Sequence, residues 1–148
     1  MKRSTIALVA VGALAVPAAP AAAKGHGHTI TIKARSKLDQ ATGVDNAPAG
    51  PSAGDMVIFT EKLFNSRGKQ IGSDAATCVS LFDGTALCNG TYNLPGGRVF
   101  VQLLQPGPTG TYDQAVVGGT GRFAGARGTV TVAQSASGDR FTFKLRLD

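Results

Sequence analysis

The side chains able to do acid–base, nucleophilic or metal chemistry are few: nine Asp and Glu, two His and two Cys in 148 residues. Both histidines, His26 and His28, stand in a short Gly-containing lead over residues 24–29. No imidazole base is left for the body of the chain, so a Ser–His–Asp hydrolase is excluded. Two ligands two residues apart are also too few for a closed metal site, and no metal is expected. The carboxylate that stands out is Glu61. In the run MVIFTEKLF it shares one strand face with Val57, Phe59 and Leu63. The other face, Met56, Ile58, Thr60, Lys62 and Phe64, is also mostly apolar. A strand apolar on both faces is covered on both sides. Facing inward, Glu61 is one carboxylate in a greasy lumen, with a raised pKa, fitted to act as acid, base or polar anchor. Facing outward, it is a solvated neighbour of Lys62. Strand parity alone does not choose between the two.

The two cysteines, Cys78 and Cys88, flank Asp83-Gly84, a hairpin signal. A two-residue turn would pair Val79 with Cys88. A three-residue loop, Phe82-Asp83-Gly84 with Gly84 in the left-handed bulge position, pairs Leu81 with Thr85 and sets Cys78 opposite Cys88. That register, and a disulfide, are predicted. The alternative is a free Cys78 inside the fold.

Two further patterns carry less. Gly119-Thr120-Gly121-Arg122-Phe123-Ala124 matches G-x-G-x-x-G/A, but that loop must open a helix within a βαβ unit. Here a strand-like run, residues 128–134, follows. The glycines read instead as a tight bend or bulge of a curved sheet. Asn89-Gly90-Thr91 matches a glycosylation sequon, a short pattern with a high chance rate.

The elements that must position these residues lie behind a leader. Lys2 and Arg3 precede an uncharged apolar run, residues 6–16, and Ala21-Ala22-Ala23 offers small residues before Lys24. This is the anatomy of a secretory signal peptide. It is too short for a membrane span, and Pro17 and Pro20 end any helix early. Residues 1–23 are therefore expected to be removed, leaving residues 24–148 as one secreted, extracellular domain with no membrane anchor. Removing Lys2 and Arg3 lowers the formal charge from +6 by two. The remaining basic residues are scattered, without the aromatic-interleaved patch that single-strand binding needs, so nucleic acid is not an expected partner.

Glycine is abundant, 20 residues, and charged residues make up only 16%. After the lead, period-two alternation dominates. Strands are predicted over residues 30–35, 56–64, 69–82, 85–94, 98–105, 112–117, 128–134 and 140–147, with a polar loop over 37–54. No amphipathic helix of ten residues is evident. Short connections favour antiparallel neighbours. Eight such strands can close into an all-β, eight-stranded antiparallel up-and-down barrel, calycin-like, whose interior is filled by side chains or holds one small ligand. A small sandwich is the competing architecture.

The order of motifs resembles a known family. Residues 54–64 (GDMVIFTEKLF) resemble the second-strand signature of plant allene oxide cyclases. Cys78-Val79, Val99-Phe100-Val101-Gln102, and VGGTGRFAG over 117–125 follow in the same order, and the last stretch also resembles dirigent proteins. The resemblance runs from Gly54 to the end, and it identifies the chain as an exported microbial member of the allene oxide cyclase/dirigent barrel superfamily. It implies an eight-stranded barrel, often trimeric, with a hydrophobic cavity and no cofactor. Both families hold a reactive small molecule, a lipid or a phenolic, in one conformer while it cyclises or couples. Where the cyclases carry an Asn that helps hold a water, this chain has Glu61. Glu61 is thus the candidate catalytic residue, with Val57, Phe59, Phe100 and Gln102 expected to line the cavity around a small apolar ligand. The second reading is a non-catalytic carrier or interaction barrel with a packed lumen.

Overall fold

The computed structural model describes residues 27–107 and 110–147. The leader, residues 1–23, and His26 lie outside the described residues. Eight strands follow in order: β1 (His28–Val44), β2 (Met56–Phe64), β3 (Gln70–Ser80), β4 (Ala86–Leu94), β5 (Gly97–Gln105), β6 (Thr111–Gly119), β7 (Arg127–Ala133) and β8 (Arg140–Leu147). Each pairs antiparallel with the next, and β8 returns to β1, so the sheet closes as an up-and-down barrel. Closure removes the exposed edges that an open sandwich would leave. The one helical element among the described residues is a single 3-10 turn, Gly121–Phe123.

The alternation of the sequence is the alternation of burial. In β8, Phe141, Phe143, Leu145 and Leu147 are buried while Arg140, Lys144 and Arg146 are exposed. With Leu63, Tyr92, Val99, Val130, Val132 and Phe123 they fill one end of the barrel. Tyr92 stands edge-on to Phe143 with ring centroids 4.8 Å apart, and to Phe141 at 5.6 Å. The glycine-rich stretch turns the chain beneath this end. Gly121 has φ +59°, and a Cβ there would strike the Gly96 carbonyl oxygen. The β5–β6 register shifts at Phe100/Val101, the irregularity that lets the strand bend.

β1 differs from expectation. It runs to Val44, through residues read as loop. Over Gln40–Val44 it pairs with β2 only, because the β1–β8 ladder stops at Arg35. With no core on either side, this segment is exposed along its length, so it lacks the apolar alternation that marks a strand in sequence. The hairpin between β3 and β4 has the predicted register. Leu81 N–H donates to the Thr85 carbonyl at 2.8 Å, Gly84 has φ +79°, and Cys78 sits opposite Cys88.

Candidate functional site

Above the packed end, the barrel interior turns polar and then opens. Three inward side chains form one row across adjacent strands: Glu61 on β2 lies opposite Asp74 on β3, which lies opposite Tyr92 on β4. Lys62, next along β2, points out and pairs with Asp39 on the outer surface. The pocket above this row holds about 40 Å³ and is walled by Glu61, Asp74, Asp139, Tyr112, Gln114 and Phe141, among others. That is room for a few waters at most.

Hydrogen bonds fix two sides of the pocket. Ser36 Oγ donates to Glu61 Oε1 at 3.0 Å and accepts from Asp139 N–H at 3.1 Å. Ser36 N–H donates to the Asp139 carbonyl at 2.8 Å, so β1, β2 and the turn before β8 are tied at one point. Opposite, Tyr92 Oη donates to Gln114 Oε1 at 2.7 Å, and both residues are buried. Asp74 is 5% exposed, and its Oδ1 has no hydrogen-bond partner among the described residues.

The electrostatics follow from burial. Desolvation, reinforced by repulsion from Glu61 and Asp139, pushes the Asp74 carboxyl up to about 7. Desolvation also raises Glu61, opposed by the Ser36 hydroxyl and helped by Asp139. Burial raises Asp139 as well, against the Ser135 backbone N–H. Tyr112 is pushed up to about 12 and Tyr92 well above its ordinary value, both mainly by desolvation. Two opposed carboxylates in one desolvated site titrate as a coupled pair. Near neutral pH Asp74 can accept or release a proton.

Beyond this pocket the barrel opens into a mouth of about 700 Å³, walled by the loop at 51–53, the β3–β4 hairpin, Val57, Phe59, Cys78, Gln105 and Gly107. Phe59, Cys78 and Gln105 line both mouth and inner pocket. Cys78 and Cys88 are joined in a disulfide that faces inward at this boundary. The Gln105 amide oxygen lies 3.4 Å from Cys88 Sγ. Asp55 organises the mouth loop by accepting from the Ser52 and Asn46 backbone N–H groups, which holds its carboxyl below the usual range.

Of the residues expected from sequence, the structure brings together Glu61, Val57, Phe59 and the disulfide. Phe100 and Gln102 are a correction: they lie on the outside of the barrel. On β5 the inward residues are Val99, Val101, Leu103 and Gln105; Val99 and Val101 are 0% and 2% exposed. Alternation then turns Phe100 and Gln102 outward. Gln102 Nε2 donates to Asn89 Oδ1 at 2.9 Å on the surface, and Phe100 lines a shallow outer groove with Ile58 and Val117. Sequence reasoning missed Asp74, Asp139, Ser36, Tyr92, Tyr112 and Gln114. The predicted Cys78–Cys88 register did contain a signal for Asp74, since Asp74, Ala76 and Cys78 share one face. Among the described residues, no group of three or more His, Cys, Asp or Glu is arranged to hold a metal ion. No helix among them is long and apolar enough to cross a membrane.

Comparison with known proteins agrees with this architecture. Residues 30–147 match the model of a family described as allene oxide cyclase barrel like domain. Among solved structures, a pyocyanin demethylase is 30% identical with a TM-score of 0.71, over 78% of this chain and 99% of that one. The pterocarpan synthase dirigent protein GePTS1 is 15% identical with a TM-score of 0.62, over 82% and 90%. The Diels-Alderase AbmU from Streptomyces koyangensis is 16% identical with a TM-score of 0.64, over 84% and 71%. No curated protein matches the chain significantly.

Proposed function

From the premise that this chain belongs to the allene oxide cyclase barrel-like family, we propose that it binds a small apolar ligand at the barrel mouth and steers its conversion without a cofactor. One observation carries this reading. A mouth of about 700 Å³ opens past Phe59 and the disulfide onto a pocket holding Glu61 and Asp74. Val57, Phe59 and Leu81 give the ligand an apolar bed. The carboxylate pair, tuned towards neutrality by burial, takes a proton from one ligand position and returns it to another, as a cyclisation or isomerisation requires. Holding the ligand in one conformer supplies the rest of the rate. The 30% identical relative is named for chemistry on a small molecule, which supports a small-molecule ligand here. The dirigent and Diels-Alderase likenesses contribute the fold alone.

The leader anatomy and the Cys78–Cys88 disulfide support an exported, extracellular protein. The outer groove at Ile58, Phe100 and Val117 is where copies of the chain would meet in an oligomer, a trimer by the family resemblance.

A second reading is favoured by the size of the inner pocket, about 40 Å³. A ligand resting above it, never among the carboxylates, would be carried without turnover. Native mass spectrometry of the protein captured from culture medium tests the binding reading. A co-purifying small-molecule mass is expected. Consistent absence of any ligand, with no binding of an apolar dye at the mouth, overturns it. Glu61→Gln separates the two readings: turnover is lost under the first, and nothing changes under the second.

A further inference from the structure

The inner pocket gathers carboxyl groups with no cationic side chain among its walls. Asp74 is enclosed, and its Oδ1 accepts no hydrogen bond from the described residues. Glu61 and Asp139 line the same pocket, and no Lys, Arg or His does. Two neutral donors beside it are committed elsewhere: the Tyr92 hydroxyl to Gln114, the Ser36 hydroxyl to Glu61. A buried carboxylate needs a proton, a cation or strong donors. The pocket opens towards the mouth, so a compensating cation would enter from there. Its walls include the rings of Phe59, Tyr112 and Phe141, whose faces attract positive charge.

We propose that the ligand carries a protonated nitrogen: an ammonium or protonated heteroaromatic N–H seats against Asp74 Oδ1 and Glu61, while its apolar remainder fills the mouth. The barrel thereby selects amphiphilic amines over neutral or acidic molecules of the same shape. This inference rests on the reading of mouth and pocket as a ligand site. An ammonium or a ring N–H is compact enough to reach into a pocket of about 40 Å³.

The proposal has a proton signature. Without ligand, burial keeps Asp74 protonated up to about pH 7. A cation favours the ionised form, so its binding expels a proton. The groups facing Asp74 are Glu61 from β2, Tyr92 from β4, Tyr112 from β6 and Asp139 from the turn before β8. The two tyrosines stay neutral throughout this range, and the three acids act in the same direction. Amine affinity should therefore rise with pH through about 7.

Titration calorimetry with three matched probes tests this: 1-naphthylmethylamine, 1-naphthalenemethanol and 1-naphthaleneacetate. At pH 8 the amine should bind at least about tenfold tighter than the alcohol, equivalent to one charge-assisted contact, with the acetate weakest. Its affinity should fall several-fold at pH 6, and buffers of different ionisation enthalpy should report proton release. Asp74→Asn and Glu61→Gln should each shrink the amine-to-alcohol ratio. If the alcohol binds the unmodified protein as tightly as the amine at pH 8, the cation proposal falls and the apolar-ligand reading survives. If none of the three binds, both fall. Neither outcome depends on the variants folding.

Discussion

Glu61 and Asp74 face each other across the β2–β3 ladder inside the barrel, so two carboxylates share one desolvated site. Burying these carboxyls, reinforced at Asp74 by repulsion from Glu61, costs folding free energy once they are charged, which gives stability a pH slope. The folded carboxyl of Asp74 lies near 7, against an unfolded value of 3.8. Between these values the folded state holds more protons than the unfolded one, so stability falls as pH rises. The full span corresponds to about 4 kcal/mol as an upper bound. Thermal melts from pH 4.5 to 8 should show a declining midpoint, and Asp74→Asn should flatten most of it. A midpoint that climbs with pH in the unmodified protein would contradict the buried, raised pair.

The disulfide joins a close cross-strand pair and encloses a short hairpin. Constraining a loop of that length is worth about 2–3 kcal/mol. Replacing both cysteines with serine should lower stability by that amount in denaturant melts, with the barrel retained. Because Cys78 sits at the boundary of mouth and pocket, the double variant should also alter the affinity of any mouth ligand.

Tyr92 is 2% exposed and its hydroxyl satisfies Gln114. Tyr92→Phe keeps the ring contacts to Phe141 and Phe143 but leaves the Gln114 oxygen buried without its donor. A loss of about 1–3 kcal/mol is expected, measurable by chemical denaturation. Gln114→Leu in the Tyr92→Phe background should recover part of it, since removing both polar partners costs less than removing one.

How far the sequence discloses this arrangement depends on the kind of constraint. The hairpin at Asp83-Gly84 is legible because a local turn rule fixes Cys78 against Cys88. β8 is legible because its apolar and charged residues alternate strictly. Phe100 and Gln102 mislead because β5 carries apolar residues on both parities, so period two does not say which face is inside. Family resemblance supplies the strand and not its facing. Asp74 was readable from the hairpin register by counting back from Cys78. Ser36 and Asp139 were not, since their contact joins positions 103 residues apart and exists only once β8 closes on β1.

The passage between mouth and pocket runs past Phe59, which lines both. The chain contains no Trp, so Phe59→Trp introduces a single reporter at this boundary. A partly enclosed indole there should emit at shorter wavelength than a solvated one. Filling the mouth should change that emission further, through quenching by an aromatic probe or exclusion of water. The larger ring should also narrow the way to Asp74, weakening 1-naphthylmethylamine more than 1-naphthalenemethanol, whose binding needs only the mouth. A blue-shifted emission that ignores saturating concentrations of both probes would place their binding away from the mouth, and the ligand site would have to be sought on the outer groove instead.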